Sequence, residues 1–142
     1  MMSTRDVSIL RNQLTSLSRR LRQESRNTPQ SWAKMLILSA IDRLGDGVTP
    51  SELAGAEQMQ SSNLATLLRV MEDEHFIQRL PDKKDRRKVR ITLLPAGKAA
   101  LADNRRVRDK WLSEAMHHQL TPDEQDILFK AGEIAARLAA IK

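Results

Sequence analysis

The sequence predicts a mainly α-helical chain carrying one small β-hairpin, on three observations. Apolar residues recur at steps of three and four in five stretches, the period of an amphipathic helix. Two T-P-x-E runs, Thr49-Pro50-Ser51-Glu52 and Thr121-Pro122-Asp123-Glu124, have the residue order of a helix start. One short stretch alternates instead. Val89, Ile91 and Leu93 interleave with Lys88, Arg90 and Thr92, the period of a half-buried strand.

Taken in order, Val7 to Glu24 predicts a first helix. Val7, Leu10, Leu14, Leu17 and Leu21 make a narrow, heptad-like seam, and Arg5, Arg11, Arg19, Arg20 and Arg22 decorate the rest. Asn27-Thr28-Pro29 breaks it. A second helix follows from Ser31 to Leu44, with Trp32 at its start and Met35, Leu36, Leu38, Ile41 and Leu44 as core. Asp42 to Val48 holds Gly45 and Gly47 and reads as a loop. In the third helix Thr49 caps, Pro50 takes the first position and Glu52 completes a capping box. Leu53 and Ala54 supply its apolar face. It should end near Glu57, with Gln58-Met59-Gln60 as a turn.

The fourth helix should begin near Gln60 or Ser61. Leu64, Leu67, Leu68 and Met71 form one buried stripe, and Ser61, Ser62, Asn63, Ala65, Thr66 and Arg69 lie opposite. A strand around Phe76 to Leu80 pairs with the alternating strand, and Pro81 to Lys88 connects them. Pro95 and Gly97 open a fifth helix running to about His118. It carries Leu101, Val107, Trp111, Leu112 and Met116 on one side and Arg105, Arg106, Arg108 and Lys110 on the other. Thr121, Pro122 and Glu124 start a sixth, where Ile127, Ala131, Ile134, Leu138 and Ile141 keep a four-three spacing to the end. A chain of 142 residues that begins and ends with seamed helices has little interior to cover both. A second copy of the chain, or an intramolecular helical hairpin, would cover them.

One domain is expected at this length. The formal charge is +6 and the pI near 10.2, which favours a polyanionic partner. Residues 42–74 carry two basic and seven acidic side chains, so the basicity lies in the termini and the hairpin. Cysteine is absent, which excludes a disulfide framework and a thiol switch within the chain. The first six residues have no apolar core behind them, and no apolar run approaches membrane-spanning length. A cytoplasmic protein with no membrane partner is the expectation.

Catalytic motifs are scarce. His117 and His118 are adjacent and project apart on a helix, a poor metal pair, and His75 is expected to end the fourth helix. The chain has no H-E-x-x-H, G-x-x-x-x-G-K-[ST] or G-x-G-x-x-G run. Glu72-Asp73-Glu74 reads as a solvated helix end rather than a carboxylate dyad. No enzymatic activity, no metal and no cofactor are expected.

Two short helices followed by a hairpin with a basic tip are the order of a winged helix-turn-helix. From Asp82 to Arg90 there are six basic and two acidic residues, +4 in nine positions. The natural partner of such a tip is a phosphate backbone or a minor groove. The short polar groups of the fourth helix suit base edges in a major groove, although an ordinary solvated helix face has a similar composition.

At these residues the chain resembles the MarR family of bacterial transcription regulators. The resemblance lies in T49-P-S-E-L-A54, in S61-S-N-L-A-T-L-L-R-V-M-E72, and in the wing P81-D-K-K-D-R-R87 leading to L93-L-P-A-G97. It covers essentially the whole chain. It implies a mainly α fold with a β-hairpin wing, in which residues 31–97 form the winged helix-turn-helix lobe and residues 1–30 and 98–142 the dimerisation helices. It also implies a homodimer that binds double-stranded DNA at a pseudo-palindromic operator, as a repressor relieved by a small aromatic or phenolic effector. Ser61, Ser62, Asn63, Thr66 and Arg69 would face bases and nearby phosphates, and Lys83, Lys84, Arg86, Arg87 and Lys88 would form the wing contacts. Asp85 would brace Arg87, as the aspartate of D-x-R does in the family pattern. On the resemblance Trp32, Met35 and Trp111 would line an effector pocket, although each is more simply a core residue. Gln58 and His75 stand where the family usually has glycine, and a left-handed turn costs more at such residues. The alternatives are an architectural protein that coats DNA by charge, and a protein-interaction module on the same fold.

Overall fold

The helix-period stripes of the middle of the chain converge on the hairpin, and the core forms where they meet. The computed structural model describes residues 1–142, the side chain of Asn27 excepted. Met35, Ile37, Leu38 and Ile41 of α2 (Trp32–Leu44) pack with Leu53 of α3 (Pro50–Glu57) and with Leu64, Leu68 and Met71 of α4 (Ser61–Asp73). Ile77 of β1 (Ile77–Pro81), Ile91 and Leu93 of β2 (Val89–Leu93), and Leu101 of α5 (Pro95–Gln119) close the cluster. The strands pair antiparallel with Ile77 opposite Leu93 and Pro81 opposite Val89, and Val48 adds a single bridge to Ile91. Proline is tolerated at the end of β1 because β1 is an edge strand.

The N-terminal helix α1 (Thr4–Glu24) begins three residues before the expected Val7. Ser3 caps it and Asp6 returns the hydrogen bond, a capping box with aspartate in place of the usual Glu or Gln. A short 3₁₀ turn (Ser25–Asn27) and an extended Thr28 break the chain where expected. In α2 two expected core positions differ: Leu36 is only partly buried and Leu44 is exposed, while Ile37 and Ala40 are buried. Helix α2 packs against α3, α5 and β2, so more than one stripe of it is covered. The C-terminal helix α6 (Pro122–Ala139) has the expected capping box at Thr121 and stops short of the chain end.

Helices α3 and α4 end alike. Gln58 and His75 both take left-handed φ values, 50° and 62°. After α3 the N–H of Met59 reaches the Ala54 carbonyl (3.0 Å) and that of Gln58 reaches Gly55 (3.4 Å). After α4 the N–H of Phe76 reaches Met71 (2.9 Å) and that of His75 reaches Glu72 (3.0 Å). These are the paired bonds of a Schellman ending, with Met59 and Phe76 packed on the core as its apolar anchors. Glycine is required a little further on. A Cβ on Gly97 would overlap the carbonyl oxygen of Phe76, which itself accepts from the N–H of Leu94 (2.9 Å). The P-A-G run therefore lets the first turn of α5 lie against the start of the hairpin.

Neither α1 nor α6 buries a residue. Val7, Leu10, Leu14 and Leu17 of α1 are exposed, as are Ile127, Phe129, Ile134 and Leu138 of α6. Helix α6 touches its own chain near its start, where Gln125 Nε2 donates to the Met116 carbonyl of α5 (3.4 Å) and Leu128 borders a pocket with Leu17 and Trp111. Among the described residues no helix is long and apolar enough to cross a membrane.

Candidate nucleic-acid interface

Helix α4 divides by burial as its sequence divides by polarity. Leu64, Leu68 and Met71 face the core, while Ser61, Ser62, Asn63, Thr66 and Arg69 are exposed. Among the described residues the side chains of Ser61, Ser62, Asn63 and Arg69 have no hydrogen-bonding partner, which leaves their donors and acceptors available to a ligand. The Thr66 hydroxyl donates to the Ser62 carbonyl (3.1 Å), a back-bond that keeps it close to the helix.

The hairpin tip is more ordered than a bare charged loop. The Asp82 N–H donates to the Lys88 carbonyl (2.9 Å), and the Lys88 N–H to that of Asp85 (3.0 Å). Asp82 Oδ2 accepts the N–H groups of Lys84 (3.2 Å) and Asp85 (2.9 Å). The Asp85 N–H and then the Arg90 guanidinium hold the Asp82 carboxyl below the usual aspartate range. Asp85 Oδ1 in turn accepts the N–H (3.1 Å) and Nε (3.2 Å) of Arg87, whose side chain is 92% exposed. Lys83, Lys84, Arg86 and Lys88 are exposed, and among the described residues none has an ion-pair partner. A cleft of about 470 Å³ separates Arg87 and Lys88 from Thr49 and Ser51 at the start of α3.

Arg90, the sixth basic residue counted from Asp82 to Arg90, turns inward. Its Nε donates to Asp82 Oδ1 (3.1 Å) and its Nη1 to the Gly47 carbonyl (3.1 Å). Sequence reasoning missed Asp82 as an organiser of the tip. An Asx residue followed three positions later by a second Asp was the available signal, because a short carboxylate readily takes N–H groups two and three residues on.

The acidic run also differs from a solvated helix end. Glu72 takes two hydrogen bonds from Arg79 of β1, and Glu74 pairs with Lys34 of α2 at 2.6 Å. These pairs tie the end of α4 to the wing and to α2, and only Asp73 of the three is exposed.

Trp32, Met35 and Trp111 do not share a cavity. Met35 is in the core. Trp32 is half-buried beneath the guanidinium groups of Arg108 (5.3 Å) and Arg22 (5.9 Å), beside a cleft of about 420 Å³. Trp111 lies under Arg20 (5.0 Å) and borders a separate apolar pocket with Leu17 and Leu128. Among the described residues no group of three or more His, Asp or Glu is placed to hold a metal.

The family model described as the MarR family matches residues 31–89, from the cap of α2 to the first residue of β2. A solved Pseudomonas aeruginosa chain assigned as a transcriptional regulator is 42% identical. It superposes with a TM-score of 0.86 over 99% of both chains. An HTH-type transcriptional regulator of Mycobacterium tuberculosis is 29% identical over 122 residues, 86% of this chain and 84% of that one. S. aureus MepR, in a mutant form bound to an oligodeoxyribonucleotide, shares the fold at 19% identity, with a TM-score of 0.68 over 96% of this chain and 97% of that one. The chain belongs to the MarR family of DNA-binding transcriptional regulators.

Proposed function

We propose that the chain acts as a homodimeric, sequence-specific repressor on a pseudo-palindromic operator. The observation that carries the DNA-reading part is the exposed face of α4. Among the described residues Ser61, Ser62, Asn63 and Arg69 stand out of the core with no internal partner, and Thr66 lies on the same exposed side. They would meet base edges and nearby phosphates in the major groove. Lys83, Lys84, Arg86 and Lys88 would take phosphates, and Arg87, held by Asp85, would enter the minor groove. The oligonucleotide bound by MepR, a protein of the same fold, supports this assignment.

Dimerisation is supported by the bare seams of α1 and α6. Exposed leucines and isoleucines at helical spacing, on helices that bury nothing in their own chain, fit an isologous partner. On this reading residues 1–30 and 98–142 serve the dimer and residues 31–97 the DNA, in the cytoplasm where operators are found. A small aromatic or phenolic acid is the proposed effector. The support is Trp32 beneath two guanidinium groups, one of which, Arg108, has a buried Nε with no acceptor among the described residues.

Selection from random duplex DNA by the intact chain tests the proposal. A short palindromic consensus with a discrete footprint is expected. A ladder of shifts with no consensus would instead indicate charge-driven coating, and retention of no duplex at any salt would indicate a non-DNA role.

A further inference from the structure

We propose that Arg90 is a positioning residue, paired with Asp82 to set where the wing presents Arg87, and that it is not a phosphate contact. The inference rests on the reading of the wing as a DNA-contacting element. Arg90 lies on β2, yet its guanidinium joins two other segments, the wing turn at Asp82 and the α2–α3 connection at Gly47. Glu52 Oε1, which completes the α3 capping box, lies 3.9 Å from its Nη1. The contacts then continue outward. Asp82 holds the N–H groups of Lys84 and Asp85, and Asp85 holds the backbone and guanidinium of Arg87.

The inner end of this run is fixed. The Gly47 N–H donates to the Ile91 carbonyl and the Ile91 N–H to that of Val48, both at 2.8 Å, and Ile91 and Val48 are buried. The outer end is the solvated Arg87 side chain. A guanidinium that holds two acceptors in fixed directions orders the tip before any ligand arrives, so less freedom is lost when Arg87 binds. The ion pair with Asp82 also offsets the charge of Arg90, which leaves the unpaired outward charge of the wing to Lys83, Lys84, Arg86 and Lys88, with Arg87 exposed beside Asp85.

The test uses the full chain and the Arg90→Lys variant, which keeps the charge but cannot span both acceptors. Asp82→Asn and Arg90→Met accompany it. Two readouts are needed: amide exchange at Asp85 and Arg87, and affinity for the selected operator and for a random duplex across a salt series. In all three variants both amides should exchange faster. Operator affinity should fall about tenfold, the scale of a lost charged hydrogen bond. For Arg90→Lys, which keeps the charge, the random-duplex affinity and the salt slope should not move, a split that a loss of fold alone would not produce. Arg90→Lys binding like the parent, while Arg90→Met weakens both duplexes and lowers the salt slope by about one, would make Arg90 a phosphate contact and overturn the proposal. Unchanged amides would overturn it as well. If the parent chain selected no duplex, the DNA reading and the positioning role would fall together. Faster amides in Arg90→Lys would then show that the brace exists, which separates that failure from failure of the brace itself.

Discussion

Arg79 grips Glu72 through two hydrogen bonds of 3.0 Å, Nε to Oε2 and Nη2 to Oε1. The pair joins β1 to the last turn of α4, so it couples the wing to the helix proposed to read bases. The Arg79 hydrogen bond lowers the Glu72 carboxyl pKa, outweighing desolvation. A carboxylate lowered in this way stabilises the fold above its unfolded pKa, about 4.3, and the contribution is lost as pH falls through the lower folded value. Glu72→Gln should therefore reduce the Tm at pH 7, by the equivalent of no more than about 1 kcal/mol because the pair is partly solvated. Melts taken towards acid should converge for the variant and the parent. A gap that stays constant while the carboxyl protonates would show that the ion pair contributes nothing.

Gln58 and His75 carry the left-handed φ values that end α3 and α4. Such a conformation costs a side-chain-bearing residue about 1–2 kcal/mol, and glycine gives back about 0.5–1 through the freedom of its unfolded chain. Gln58→Gly and His75→Gly should each stabilise the chain by roughly 0.5–1 kcal/mol. Urea unfolding at neutral pH measures this, and a loss of stability in both would contradict the account of these turns.

Much of the fold is legible because its signals are local. The boxes at Thr49 and Thr121 involve four consecutive residues each, and the structure forms both. The start of α1 is less legible because Asp6 does the work of a glutamate. The core of α2 is harder still, since a helix covered on several sides buries Ile37 and Ala40 beyond any single stripe. At the candidate site, the exposed face of α4 and the Asp85–Arg87 contact follow from composition and from the family pattern. The inward turn of Arg90 does not. Its partners Asp82 and Gly47 lie eight and 43 positions away, a relation that no local pattern encodes.

The bare seams of α1 and α6 predict the assembly. Leu14→Glu and Ile134→Glu alter side chains already exposed in the single chain, so each should fold with unchanged helix content. Each should nevertheless weaken or abolish the dimer, because a buried unpaired carboxylate at the interface costs several kcal/mol. Light scattering at micromolar concentration should show the parent as a dimer. A monomeric parent would contradict this prediction.

Asp85→Ala separates bracing from simple charge. On charge alone, removing an acid from a basic loop should tighten DNA binding. If Asp85 holds Arg87, operator binding should weaken, and Asp85→Ala should add little to Arg87→Ala in a double-mutant cycle. Tighter binding with full additivity would exclude the brace.

The division of labour between α4 and the wing is tested most directly by comparing Asn63→Ala with Lys84→Ala on the selected operator and on random duplex, across a salt series. Asn63→Ala should cost about 1–3 kcal/mol on the operator, much less on random DNA, and leave the salt slope unchanged. Lys84→Ala should weaken both duplexes alike and lower the slope by about one. Equal losses on both duplexes for Asn63→Ala, with a reduced slope, would contradict the account, because α4 would then contribute charge and position without reading sequence.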